Sequence, residues 1–161
     1  YVSINNFLEK ISKKLNVPAH VCCHPRADIK KLKKFFPKIS LSQGETMQQI
    51  RNSKILLVHD STALNLGILY LKPIIYVINN ALIFSKWHHS NEIKTASLKL
   101  KKNIYNIDQD KNLIFKNLDK ELKVNYKNYL LYKKNYIKFK GSNKNSAEET
   151  IYNLRKYKFW I

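Results

Sequence analysis

Apolar residues recur at Ile4, Phe7, Leu8, Ile11 and Leu15, the spacing of one helix face, so residues 3–15 are expected to form an amphipathic helix. Asn16-Val17-Pro18 stops it. The short run HVCC then reads as a buried strand ending at His24-Pro25, and ADIKKLKKFF as a second helix with Ile29, Leu32 and Phe36 inward and lysines outward. KISL is a strand. Ser42-Gln43-Gly44-Glu45 matches a capping box and is expected to open a helix through Ile50. KILLVH, residues 54–59, is a continuous apolar run, the mark of a central strand covered on both faces. Asp60-Ser61-Thr62 opens a further helix, ALNLGILYL, and PIIYVI is another buried strand.

From residue 81 to 103 the pattern is irregular, and NIYNI marks a last edge strand. Beyond Asp108 the chain turns helical, with Tyr129, Tyr132, Tyr136 and Phe139 in a stripe at helical spacing. GSNKNS reads as a loop. Ser146-Ala147-Glu148-Glu149 is a second capping box, opening a closing helix with Ile151 and Leu154 on one face. Short apolar strands separated by helices of about ten residues imply parallel βαβ units, hence an α/β fold with a doubly wound parallel sheet. Residues 1–107 are expected to hold the sheet and its flanking helices, and residues 108–161 a helical C-terminal extension packed on it.

Composition and charge then bound this picture. The 161 residues suffice for one good core. The longest apolar stretch is broken by Lys72-Pro73, so no run spans a bilayer. The chain starts at Tyr1 without a charged-then-apolar leader and is expected to be a fragment or a processed product. Cys22 and Cys23 are neighbours, poorly placed to staple a fold; they suit a reducing cytosol and are expected to be inert core. The formal charge is +19, from 30 Lys and Arg against 11 Asp and Glu, which draws the surface to phosphates of nucleic acid, anionic lipid or nucleotide. The cations are nearly all lysine, with only Arg26, Arg51 and Arg155, whereas base readout favours the arginine fork. The joint richness in Lys, Asn, Ile and Tyr reads as a genome-wide bias ahead of a dedicated nucleic-acid face.

In open α/β sheets ligands bind at the carboxyl ends of the strands. Two polar groups fall there: His24-Pro25-Arg26, and Asp60-Ser61-Thr62 after the most buried-looking strand. A helix N-terminus offers unpaired N–H groups to a phosphate, and the Ser61 and Thr62 hydroxyls add donors. Arg26 would be the fixed charge and His24 a further donor. Ser and Thr after a strand are also ordinary N-caps, and His-Pro an ordinary strand end. With only Gly44, Gly67 and Gly141, the chain has neither the dinucleotide turn nor the phosphate loop. Trp87-His88-His89 has no acidic or thiol partner at ligand spacing, so no metal is expected. His59 is expected to pack at its strand end.

The strand ending in His-Pro-Arg, followed about 35 residues later by a strand feeding DSTALNLGILYLKPIIYV, resembles the C-terminal half of bacterial GT-B glycosyltransferases. The nearest likeness is to surface-polysaccharide and lipopolysaccharide enzymes with HP and S-S/T motifs, the sialyltransferases and Kdo transferases. The closing YKKNYIKFKGSNKNSAEETIYNL is similar to the tail of such capsule enzymes. The resemblance spans roughly residues 20–154 on short motifs. It implies a Rossmann-like domain, one half of a GT-B fold, in which His24 is catalytic and His24, Pro25, Arg26, Ser61 and Thr62 hold the donor's nucleotide phosphate. The register of the family's ribose-binding Glu falls at Leu66, next to Asn65, which favours a CMP-sugar over a UDP-sugar. Teichoic-acid glycerophosphotransferases, which use CDP-glycerol, have a similar layout and are the close alternative.

The resemblance further implies a metal-independent transfer without cofactor, from a nucleotide-sugar donor to a glycan or lipid-linked acceptor, in capsule or lipopolysaccharide synthesis. The acceptor site and general base belong to a missing N-terminal domain, so the fragment alone is expected to be inactive. The location implied is cytoplasmic, on the inner face of the cell membrane. The competing reading is a non-catalytic basic module that binds nucleic acid through the Tyr- and Lys-rich residues 126–139. The same lysine-bearing helix could instead lie on an anionic membrane, which adds to the transferase reading.

Overall fold

The computed structural model describes residues 1–59, 61–84 and 90–137. Asp60, Trp87-His88-His89, Phe139 and the second capping box with its closing helix lie outside the described residues. The elements run α1 (Val2–Leu15), β1 (His20–Cys23), α2 (Ile29–Lys33), β2 (Ser40–Gln43), α3 (Thr46–Asn52), β3 (Leu56–Val58) and α4 (Ala63–Leu69). They continue β4 (Ile74–Ile78), α5 (Asn80–Phe84), α6 (Ser90–Leu100), β5 (Ile104–Asn106), α7 (Lys111–Lys116), α8 (Leu118–Glu121) and α9 (Tyr126–Tyr132), which passes into a π-helical turn, Lys133–Ile137.

All strand pairings are parallel. β1 pairs with β2, with Val21 opposite Leu41, and β4 lies between β3 and β5, with Leu57 opposite Ile75 and Val77 opposite Tyr105. Period-two alternation sends these strands' side chains to two faces. Val58, Ile74 and Tyr76 meet Leu64 and Ile68 of α4, Ile93, Ala96 and Leu100 of α6, and Tyr129 of α9. Ile75, Tyr105 and Ile107 meet Phe7 and Ile11 of α1, Ile114 of α7 and Leu118 of α8. The result is a mixed α/β fold with small parallel sheets sandwiched by helices, as the strand–helix alternation predicts. Residues 108–137 contribute α7, α8 and α9 directly to the two helical layers.

α1 forms where the spacing places it and ends at Asn16, whose left-handed backbone (φ 51°) lets the caps at Asn16 and Val17 bond back to Lys13 and Ser12. α4 sits close to the sheet at Gly67, where an added Cβ would fall 2.5 Å from Leu56 Cδ2. Behind β5, Lys102 and Glu121 form a buried ion pair at 3.1 Å. Lys102 also donates to the Glu121 and Lys123 carbonyls, while Tyr105 Oη donates to Glu121 Oε1 at 2.9 Å. Every charge there has a partner, as burial demands.

Five expectations change. The run KILLVH, read as a central strand, gives β3 at the edge of its three-stranded sheet, paired with β4 alone among the described residues. The irregular stretch 81–103 contains the eleven-residue α6. The capping box at Ser42 does not form: Ser42 is in β2, and α3 starts after Glu45 without a side-chain cap bond. The strand read at KISL lies two residues later, at Ser40–Gln43. Finally, β1 is only half covered, and Cys22 is exposed while Cys23 is buried. Val21 and Cys23 take the inward positions, so Cys22 must face the other way. Its thiol is desolvated by neighbouring side chains, which pushes its pKa up, while hydrogen bonds to Ser42 and Thr46 pull the other way. No helix of the described residues is long and apolar enough to cross a membrane.

Candidate functional site

The winding of the sheet decides where a ligand could sit. The β1–β2 connection carries α2, whose Leu32 and the following Phe36 pack beside Leu8 of α1. The β3–β4 and β4–β5 connections carry α4 and α6, on the opposite face. Leu57 of β3 shares the α1–α2 cluster with Val21 and Leu41, so side-chain packing links the two parallel sheets there. Helices thus change face between the β1–β2 unit and the β3–β5 unit, which no backbone pairing joins; in a continuous open sheet the carboxyl ends of the strands beside such a change are where ligands bind. The loop after β1 carries His24-Pro25-Arg26, and the loop after β3 leads to Ser61-Thr62.

The first loop is a built turn. Ala27 N–H donates to the His24 carbonyl at 2.8 Å, with Pro25 in the second position, where its fixed φ suits a tight turn. Gln43, the last residue of β2, donates through Nε2 to the carbonyls of His24, Pro25 and Ala27 at 2.8–3.1 Å. Asp28 then caps α2, its carboxylate accepting from Lys31 N–H at 3.0 Å. Inside the turn, Arg26 N–H donates to His24 Nδ1 at 3.1 Å. An imidazole nitrogen that accepts cannot carry the proton, so the neutral ring holds its proton on Nε2. His24, Pro25 and Arg26 are all exposed. The loop therefore presents an N–H donor and a guanidinium to solvent.

The second loop is arranged differently from the sequence expectation. Ala63 N–H donates to Ser61 Oγ at 3.1 Å, Leu64 N–H to the Ser61 carbonyl and Asn65 N–H to the Thr62 carbonyl, both at 3.0 Å. The first N–H groups of α4 are consumed locally, so the helix end offers no open cradle to a phosphate. Ser61 Oγ keeps its own hydrogen to donate, and the Thr62 hydroxyl makes no cap bond. Both residues are exposed. Among the described residues no hydrogen bond joins the His24 loop to Ser61 or Thr62. His59, next to the strand end, is exposed.

Sequence reasoning missed three polar groups. Gln43 is one. The second is His20, whose Nε2 lies 2.7 Å from Ser42 Oγ across β1 and β2. The third lies at the ends of β4 and β5: Asn80 N–H donates to Asp108 at 2.8 Å, Asn106 N–H to Asp110 at 2.9 Å, and Asn106 Nδ2 to Asn80 Oδ1 at 2.7 Å. The cluster of Asn and Asp after PIIYVI and NIYNI was its signal. These groups mainly satisfy one another. A groove of about 320 Å³ is lined by Ser3, Asn6, Phe7, Glu9, Lys10 and Lys13 of α1 and Phe115 of α7, and by no residue of the His24 or Ser61 loops. Among the described residues no three of His, Cys, Asp and Glu are gathered to hold a metal ion. No protein-family model matches this chain, and no curated protein or solved structure compared with it gives a match.

Proposed function

We propose that the chain is the donor-binding half of a glycosyltransferase, holding the phosphate of a nucleotide-activated sugar between the loops after β1 and β3. The observation that carries the reading is the Arg26 N–H bond to His24 Nδ1, which leaves Nε2 to carry the proton of the neutral ring in an exposed loop at a strand end. An Nε2–H donor and the Arg26 guanidinium suit a phosphate oxygen; the Ser61 and Thr62 hydroxyls would complete the set from the second loop. In the transfer, the bond from the sugar's anomeric carbon to the nucleotide phosphate breaks as an acceptor hydroxyl oxygen bonds to that carbon. The acceptor's proton goes to a base supplied by a second domain, and the nucleotide leaves as an anion stabilised by His24 and Arg26.

The register that gives Leu66 rather than an acid favours CMP over UDP in the donor, and a CDP-glycerol donor would use the same phosphate contacts. The acceptor is a surface glycan or its lipid-linked precursor, and the chain alone binds donor without turning it over.

Calorimetric titration of CMP, UDP and a single-stranded oligonucleotide into the chain tests this. The expected result is CMP binding weakened about tenfold or more by His24→Ala and again by Ser61→Ala, the scale of one charge-assisted hydrogen bond each. Oligonucleotide binding with a steep salt dependence, indifferent to both changes, would assign the chain to the nucleic-acid class instead.

A further inference from the structure

One helix is patterned against its surroundings. α9 buries Asn128, whose Nδ2 donates to the Leu100 carbonyl at 3.2 Å, and Tyr129, whose hydroxyl donates to the Lys72 carbonyl at 2.8 Å. On its outer side it exposes Leu130 (63%), Leu131 (49%) and Tyr126 (61%). Tyr136 in the following π-helical turn is also exposed. An amide inward and two leucines outward is the reverse of what a water-facing helix needs. Clustered exposed apolar residues of this size mark an interaction surface rather than ordinary scatter.

Among the described residues, the charges on α9 and its π-helical turn are of one sign. Lys127, Lys133 and Lys134 are exposed on the same segment, and Lys99 Nζ lies 3.8 Å from the centre of the Tyr136 ring. Glu121, the nearest acid in sequence before the helix, is buried and paired with Lys102. Leucines and tyrosines flanked by lysines and lacking acids match a bilayer interface, where apolar side chains enter between headgroups and ammonium groups meet lipid phosphates.

We infer that the outer face of α9 and its π-helical turn docks the protein on an anionic lipid surface, with Leu130, Leu131 and Tyr126 as the inserted residues and Lys127, Lys133 and Lys134 as the charged collar. The aromatic stripe read from the sequence is thereby divided: Tyr129 belongs to the core and Tyr136 to the surface, where Tyr126 joins it. The inference stands independently of the nucleotide reading, since it needs neither loop at the strand tips.

Co-sedimentation of the full chain with vesicles tests it, using phosphatidylcholine alone and phosphatidylcholine with about one quarter phosphatidylglycerol. The expected result is binding to the anionic vesicles only, weakened by salt. The double change Leu130→Ser and Leu131→Ser should weaken it about tenfold or more, with the circular dichroism spectrum unchanged because both residues are exposed. The triple change Lys127→Glu, Lys133→Glu and Lys134→Glu should weaken it at least as much. The same charge reversal at Lys30, Lys31 and Lys34 on and beside α2 should cost less than about threefold. Failure to bind anionic vesicles overturns the inference, as does an α2 triple as damaging as the α9 triple. A dimer that dissociates on the leucine changes, with no vesicle binding, overturns it in favour of a second copy. Oligonucleotide retention indifferent to the leucines, again without vesicle binding, overturns it in favour of nucleic acid.

Discussion

The two parallel sheets are built to different standards. In β3–β5 the central strand has Ile74 and Ile75 at 0% exposure, and helices cover both faces. In β1–β2 only Cys23 is fully buried, and polar pairs such as His20–Ser42 replace packing on one side. The first is held by apolar burial, the second by hydrogen bonds from specific side chains. One consequence is a separation of roles. Damage to β3–β5 should be read in stability, whereas damage to β1–β2 should cost little of the fold and, on the proposed nucleotide reading, be read in CMP binding.

The strongest way to sharpen that contrast is Glu121→Ala. It leaves the Lys102 ammonium buried without its carboxylate and removes the acceptor of the Tyr105 hydroxyl, so a loss of about 3–5 kcal/mol is expected in urea unfolding. Ile75→Ala, at a fully buried position between α1 and α7, should cost about 2–5 kcal/mol. Val21→Ala, half-buried in β1, should cost about 1 kcal/mol or less by the same assay. Equal losses at the two sites would erase the difference between the sheets.

Alkaline pH acts on the same side of the comparison. Burial pushes the phenol pKa values of Tyr76, Tyr105, Tyr129 and Tyr132 above their ordinary 10.0, and desolvation is the main cause in each. Groups whose folded pKa is raised contribute stability that is whole below the unfolded value and is lost as pH rises towards the folded one. Stability from these four should therefore hold up to about pH 10 and fall above it. The phenolate absorbance of these four should appear together with unfolding rather than before it. Early titration of all ten tyrosines in a folded chain would contradict the burial of this set.

A stability effect as small as that of Val21→Ala is expected at Gln43→Ala. It removes three contacts to loop carbonyls near the surface, costing about 1 kcal/mol, yet should weaken CMP binding by loosening the His24 turn. A variant that loses stability and keeps its CMP affinity would detach the loop from the site.

Much of the scaffold could be read directly. α1, β4 and β5 sit where apolar spacing puts them, because packing against one core imposes that spacing. α6 escaped because two of its inward residues are Ala96 and Ser97, too small or too polar to register as a hydrophobic stripe. The capping box at Ser42 misled because a strand partner, His20, claims the hydroxyl that the motif assigns to a helix. Cys22 was misplaced because a run of three apolar letters, Val21-Cys22-Cys23, hides the alternation of a half-covered strand. The residue types of the two candidate loops were legible at the strand ends, but the contacts that hold those loops were not. That Gln43 holds the loop, and that Ser61 and Thr62 consume the N–H groups of α4, depend on contacts no spacing rule encodes.

The central claim is that an imidazole on one strand tip and a hydroxyl on another serve one anion. Nuclear magnetic resonance of the chain during a CMP titration addresses it most directly, with the His24 ring nitrogens and the Ser61 amide observed together. The account predicts a protonated Nε2 and an unprotonated Nδ1 in the free neutral ring, and shifts at both residues that follow a single binding curve. A ring protonated at Nδ1, or CMP binding that moves one residue and leaves the other still, would contradict it.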